Sequence, residues 1–165
     1  MQAKYAYYDQ MTGLLNRRKF SEKSDEFKLF MPPYCCVVMV DINGLKAMND
    51  TYGHEAGDEL IIGAAECLKA AFDGVESIFR IGGDEFCVIL TDPQIDVESC
   101  LDQLEASCQQ RKGHYVKNIS VSHGFASTEE FTDFRTILKT ADHRMYENKR
   151  SYYSAANADN TQNQT

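Results

Sequence analysis

Apolar residues recur along this chain in two rhythms, one helical and one extended, and their order predicts the architecture. Arg17 to Leu29 reads as a helix, ended by Met31-Pro32-Pro33, because two prolines stop a helix and favour the extended chain that follows. Cys35-Cys36-Val37-Val38-Met39-Val40 is an unbroken apolar run, the pattern of a central strand buried on both faces. From Glu55 to Phe72 the apolar positions Leu60, Ile61, Ala64, Leu68 and Phe72 return at helical spacing, and Asp73-Gly74 closes that helix. Ser77-Ile78-Phe79 and Cys87-Val88-Ile89-Leu90 read as strands around Gly82-Gly83, which predicts a two-residue turn with positive φ angles. A helix over Val97 to Gln110 carries Leu101, Leu104 and Cys108 on one face. A strand follows from Ile119 to Phe125, then a helix from Phe131 to Lys149 with Phe134, Ile137, Leu138, Ala141 and Met145 inward. This order predicts an α/β fold of the α+β type: a mostly antiparallel central sheet covered by helices, in the ferredoxin-like or palm arrangement.

The ends are read differently. Lys4 to Tyr8 resembles the tail of a helix entering from upstream. Residues 1–153 form one domain in this reading. The stretch from Ser154 to Thr165, built of Ala, Asn, Gln and Thr with no core-forming residue, is expected to be a disordered tail or linker.

Polar residues cluster where the predicted strands end. Asp84 and Glu85 follow the Gly-Gly pair directly. Adjacent acids at a hairpin tip are a poor surface design unless something positive sits there, and hard cations such as Mg²⁺ are held by carboxylates together with substrate phosphates. Asp41 stands at the end of the buried strand, followed by Ile42-Asn43-Gly44 and a helix start, the usual geometry of a nucleotide site in an α/β sheet. Asp41 can meet Asp84 if the two strands are neighbours. Taken singly, the hairpin acids could be incidental surface charges and Asp41 a helix cap. Neither alternative explains Lys46, Asn49, His54 and Asp58, which follow in order.

With these residues in place, the chain resembles a GGDEF domain of the diguanylate cyclase family. The resemblance runs from Asp9-Gln10-Met11-Thr12-Gly13-Leu14-Leu15-Asn16-Arg17-Arg18-Lys19-Phe20, through Asp41 to Asp58 and Arg80 to Phe86, to Ala141-Asp142-His143-Arg144-Met145-Tyr146-Glu147-Asn148-Lys149. It implies condensation of two GTP into cyclic di-GMP with release of pyrophosphate, supported by Mg²⁺ or Mn²⁺. Asp41, the Ile42 carbonyl, Asp84 and Glu85 are the implied metal ligands, with Asp84 also the candidate base. Gly44 and Leu45 offer backbone N–H groups to phosphate, while Lys46 and Lys149 bring positive charge to it. Asn49 and Asp58 match the guanine readers, and His54 lies near the substrate. A carboxylate at Asp58 suits guanine, whose N1–H and exocyclic amine lie side by side; adenine would leave it unpaired. Each domain holds one GTP, so the resemblance also implies a homodimer, with a sensory or receiver module upstream in the full-length protein.

Three positions depart from the family pattern. Asn43 stands where Asp is frequent, Tyr153 stands where Arg is common, and Arg150 is its nearest basic neighbour. Asp73 and Glu76 occupy the positions of an Arg-x-x-Asp pair that binds the product in many relatives. Two acids there would repel phosphates, so the inhibitory product site is expected to be absent.

Composition narrows the alternatives. A net charge of −8 argues against nonspecific nucleic-acid binding, which needs clustered Lys and Arg. No apolar stretch reaches the roughly 20 residues of a membrane span, and the six cysteines lack metal-ligand spacing. They read as reduced thiols of a cytoplasmic protein. Two rivals stay open at this point: a purine nucleotidyl cyclase with another product, and a degenerate domain that binds GTP or a protein partner without turnover.

Overall fold

A computed structural model of the chain describes residues 5–162. Helix α1 (Arg17–Leu29) leads into strand β1 (Cys36–Ile42), followed by helices α2 (Leu45–Tyr52) and α3 (His54–Ala71). The hairpin strands β2 (Ile78–Arg80) and β3 (Glu85–Leu90) come next, then α4 (Val97–Gln110), β4 (Val121–Ser127) and α5 (Phe134–Gln162). The four strands lie in the order β2-β3-β1-β4, and every neighbouring pair is antiparallel. This is the predicted ferredoxin-like arrangement.

The unbroken apolar run of β1 is explained by its position. It is an inner strand with a helical layer on each face, and all seven of its residues are buried. Alternation along the strand divides them. Cys36, Val38, Val40 and Ile42 join Leu60, Ala64 and Leu68 of α3 and Leu101, Leu104 and Cys108 of α4 in one apolar layer. Cys35, Val37 and Met39 join Phe27 of α1 and Phe134, Ile137, Ala141 and Met145 of α5 in the other. By the same alternation Asp41 falls on the α1–α5 side, opposite Glu85 of β3.

Helix limits follow local chemistry. Asn16 caps α1 by accepting from the Lys19 N–H at 3.0 Å, and Asp96 caps α4 by accepting from the Ser99 N–H at 3.2 Å. Helix α5 lies directly on β4 at Gly124, where any Cβ would overlap the backbone of Met145 and Ala141. That contact fixes the height of α5 over the sheet and the place from which its next turn projects.

Several expectations change. Gly82 and Gly83 do not adopt positive φ; the glycines that do are Gly13, Gly44, Gly53 and Gly74. The hairpin is a wider turn, closed by the Ile81 and Gly82 N–H groups donating to the Glu85 carbonyl at 2.9 and 3.3 Å. Between β1 and the hairpin there are two helices rather than one, because Leu45–Tyr52 forms a separate α2 that buries no residue completely. Strand β4 starts at Val121 rather than Ile119, and α5 starts at Phe134 rather than Phe131. The segment expected as a tail from Ser154 continues α5 as far as Gln162, while 163–165 lie outside the described residues. Of the N-terminal stretch, Lys4 lies outside them too, and Tyr8 is already paired with Leu15 in an isolated bridge. The six cysteines are free thiols, five of them buried. Among the described residues no helix is long and apolar enough to cross a membrane.

Gly124→Val should lower stability by about 1–3 kcal/mol or more, because its side chain must push α5 away from the sheet. Urea unfolding checks this: the midpoint should fall with an unchanged slope. An unaltered midpoint would mean that α5 is not held at this height.

Candidate active site

The site is built at the end of the two inner strands. Antiparallel pairing sets Asp41 of β1 across from Glu85 of β3, and the Ile42 N–H donates to the Asp84 carbonyl at 2.9 Å. One carboxylate oxygen from each of Asp41, Asp84 and Glu85 lies within 4.8 Å of the others. Asp41 is only 6% exposed, whereas Asp84 and Glu85 are partly open to solvent. Burial pushes the Asp41 carboxyl up to about 6; Lys149 opposes that shift and the Asp84 charge adds to it.

Lys149 reaches this cluster from α5. Its ammonium lies 3.0 Å from Asp41 Oδ2 and 3.9 Å from Asp84 Oδ2, and it donates to the Ile42 carbonyl at 3.2 Å. The other Asp41 oxygen, Oδ1, is buried without a hydrogen-bond partner. Buried carboxylate oxygens are ordinarily satisfied, so the orphaned Oδ1 marks a place suited to a cation. Three carboxylates and a backbone carbonyl form an all-oxygen donor set, the kind that suits Mg²⁺ or Mn²⁺ rather than a softer metal.

The chain beyond Ile42 turns at once into the second part of the site. Gly44 takes φ 79° and ψ 15°, a left-handed conformation that starts α2 without a side-chain cap. Its N–H donates to the Tyr153 hydroxyl at 3.4 Å. Leu45 follows, partly buried against the core, and Lys46 is exposed on the first turn. Asn49 lies one turn further along α2, against the start of α3. A Cβ on Gly57 would overlap its amide, so glycine is needed for that approach, and Asp58 is the adjacent residue. His54 and Asp58 are both exposed and stand four residues apart, hence on one face of α3. Asn43 turns elsewhere: its amide accepts from Ser122 Oγ at 2.9 Å and donates to Ser120 Oγ at 3.0 Å, locking the strand end to β4.

Two arginines hold the hairpin, and sequence patterning gave them no role. Arg17 of α1 donates to the Ile81 carbonyl at 2.8 Å. Arg80 donates to the Gly83 carbonyl at 3.0 Å and pairs with Asp9 at 3.2 Å. Asp9 also accepts from the Thr12 N–H at 2.9 Å and the Thr12 hydroxyl at 2.7 Å. The N-terminal turn is thus tied to the hairpin tip. The available signal was an arginine two residues before Gly-Gly, whose partner is too distant in sequence for periodicity to identify.

Fold and site together match one protein family. The sequence matches the family described as "Diguanylate cyclase, GGDEF domain" over residues 6–154, and the chain belongs to that family. It is 33% identical over 150 residues to the probable diguanylate cyclase DgcJ of Escherichia coli K12, covering 87% of this chain and 29% of the relative. It is 32% identical over 156 residues to the diguanylate cyclase VdcA of Vibrio cholerae, covering 88% of this chain and 45% of the relative. The chain therefore spans less than half the length of either curated relative. Among solved structures, the GGDEF domain of DgcB from Caulobacter crescentus in complex with c-di-GMP superposes with a TM-score of 0.76 at 27% identity, covering 88% of this chain and 91% of that one.

Burial favours the neutral form of Asp9, but the bonds from Thr12 and the nearby Arg80 charge outweigh it and hold the carboxyl below its ordinary value. A lowered folded-state pKa stabilises the protein above the ordinary carboxylate range and is lost as pH falls through it. Asp9→Asn should therefore cost about 1–3 kcal/mol at neutral pH. The gap to wild type should narrow as pH drops below about 4, read by denaturant titration across pH. A gap independent of pH would assign the loss to shape rather than charge.

Proposed function

We propose that this domain condenses two molecules of GTP into cyclic di-GMP, releasing pyrophosphate. The observation that supports the reading most directly is the convergence of Asp41, Asp84 and Glu85 beside the Gly44 turn. In this reading those carboxylates and the Ile42 carbonyl would hold Mg²⁺ or Mn²⁺. When bound, the metal would supply charge stabilisation to the reacting phosphate and acidify the attacking hydroxyl.

The remaining roles belong to the chain's own side chains and backbone. Asp84, partly open to solvent at the hairpin, takes the proton from the 3′-hydroxyl that attacks the α-phosphate of the other GTP. The N–H groups of Gly44 and Leu45 face the phosphates at the start of α2, where a helix leaves its first backbone donors without intrahelical partners, and phosphate would take the Gly44 N–H from the Tyr153 hydroxyl. Lys46 and Lys149 offset phosphate charge. Asp58 accepts from guanine N1–H and the exocyclic amine, with the Asn49 amide beside it and His54 at the rim. One domain carries one such set, so the reaction requires two copies face to face, and a homodimer is part of the proposal. So is an upstream sensory or receiver module, consistent with the greater length of the curated relatives. Asp73 and Glu76 are both exposed near the start of β2 and present acids, so binding of product there is not expected.

Incubation with GTP and Mg²⁺, with products identified by mass, tests the reaction. Wild type should yield cyclic di-GMP, and Asp84→Ala should lose essentially all turnover while keeping its fold by circular dichroism. Product formation at the wild-type rate by the variant would remove Asp84 from the chemistry. Absence of product from a dimeric wild-type protein that still binds GTP would favour a domain that binds without turnover.

Base choice gives an independent check. Asp58→Ala should weaken GTP use far more than any residual ATP use, because sites built to hydrogen-bond a substrate group can reject its analogue by about 10⁴-fold or more. Equal losses for both purines, measured as kcat/KM, would make Asp58 a structural residue of α3.

A further inference from the structure

We propose that Lys149 is a displaceable internal cation: without nucleotide its ammonium occupies the acidic cluster, and a divalent ion must expel it to bind. The inference rests on the metal-site reading above and adds a competitor to it. Two of the groups assigned to the metal, the Asp41 carboxylate and the Ile42 carbonyl, are the ones that receive the ammonium, Asp41 through Oδ2 at 3.0 Å and Ile42 at 3.2 Å. A third, Asp84 Oδ2, is 3.9 Å away. A divalent ion held by the same groups would face a like charge in near contact. Both cannot keep those positions.

Lysine suits such a role. Its charge is a point at the end of a flexible stem, unlike the rigid fork of arginine, so it can leave one set of oxygens for another. The direction of departure is marked by Tyr153, one turn further along α5. The Lys149 ammonium lies 5.9 Å from the Tyr153 ring centre, and the Tyr153 hydroxyl accepts from the Gly44 N–H at 3.4 Å. The same helical face therefore borders both the carboxylates and the turn proposed to meet phosphate. An ammonium expelled by the metal has the phosphates of an incoming nucleotide beside it. Metal and nucleotide then assist one another, and the assistance is reciprocal.

The test is Mn²⁺ binding in the absence of nucleotide, followed by electron paramagnetic resonance. Wild type is compared with Lys149→Met, Arg150→Met and Asp84→Asn. Arg150 is exposed beside Lys149, so Arg150→Met makes the same change in net charge without touching the cluster. Lys149→Met should tighten Mn²⁺ by about tenfold, the scale of a lost charged hydrogen bond, and Arg150→Met by less than about twofold. The melting temperature of Lys149→Met should also rise more on adding Mn²⁺ than that of wild type. Should Lys149→Met fail to fold, Lys149→Gln keeps a donor for the Ile42 carbonyl and permits the same comparison. Equal tightening by Lys149→Met and Arg150→Met would reduce the effect to long-range charge and overturn the proposal. Unchanged or weaker binding by the Lys149 variants, with binding lost in Asp84→Asn, would also overturn it while leaving the metal site standing. Wild-type binding by Asp84→Asn would instead place the ion elsewhere and remove the metal-site reading itself.

Discussion

The antiparallel register of β1 against β3 governs the rest of the site. It sets Asp41 opposite Glu85 and brings Asp84 to the same point, so negative charges converge where the two inner strands end. Like charges opposite one another in a sheet are destabilising, and Asp41 is buried as well, which raises the cost of its ionised form. The chain retains this arrangement because positive charge is brought to it. In this structure the charge comes from Lys149, whose backbone belongs to a helix packed across the neighbouring strand. Seating α5 on Gly124 therefore affects both stability and the electrostatics of the cluster.

The hairpin tip illustrates a second constraint. A turn containing two glycines is permissive, and acids carried on a permissive turn would not stay at one height. Arg17 and Arg80 counter this by gripping the Ile81 and Gly83 carbonyls from α1 and from the start of the turn. The grip uses backbone acceptors and leaves the carboxylates of Asp84 and Glu85 outside it. Asp9 and Thr12 in turn orient Arg80, which gives the N-terminal turn a part in placing residues far along the sequence. Rigidity here is imported from side chains rather than built into the turn.

Strong periodicity made most of the fold legible in the sequence. Helix α4 was readable because Leu101, Leu104 and Cys108 keep one face, and the Asp96 cap in the structure fixes its start where that pattern begins. Strand β1 was readable as central because only an inner strand can bury an unbroken apolar run. Helix α2 was not separately readable: it buries no residue completely, so no apolar stripe announces it. The continuation of α5 past Ser154 was missed for a related reason, since Ala, Asn and Gln carry no core signal even where the backbone is helical. At the site, motif order pointed to Asp41, Asp84 and Glu85, which the fold does bring together. The turn glycines were misread because Gly-Gly suggests a two-residue hairpin, whereas Ile81 and Gly82 both bond back to Glu85 in a wider one. The partner of Lys149 was not accessible at all. The resemblance assigned Lys149 to phosphate, and its carboxylate partners appear only once the packing of its helix is known.

That last point bears on the departure at Tyr153. An arginine there would add a fixed positive charge beside the Gly44 turn, whereas tyrosine contributes a neutral hydroxyl that accepts the Gly44 N–H. Arg150 is exposed and lines the same surface pocket as Lys149 and Tyr153, while the i, i+4 spacing puts residues 149 and 153 on one helical face. Of the two lysines proposed to meet phosphate, Lys46 and Lys149, the second is already engaged by carboxylates. With one of two cations committed to the acidic cluster, phosphate affinity becomes conditional on whatever releases it. A residue that in a more basic site would simply add charge is here placed between two demands. The chain's excess of acids over bases, a net charge of −8, makes that dependence stronger, because the field of the whole molecule disfavours an incoming phosphate.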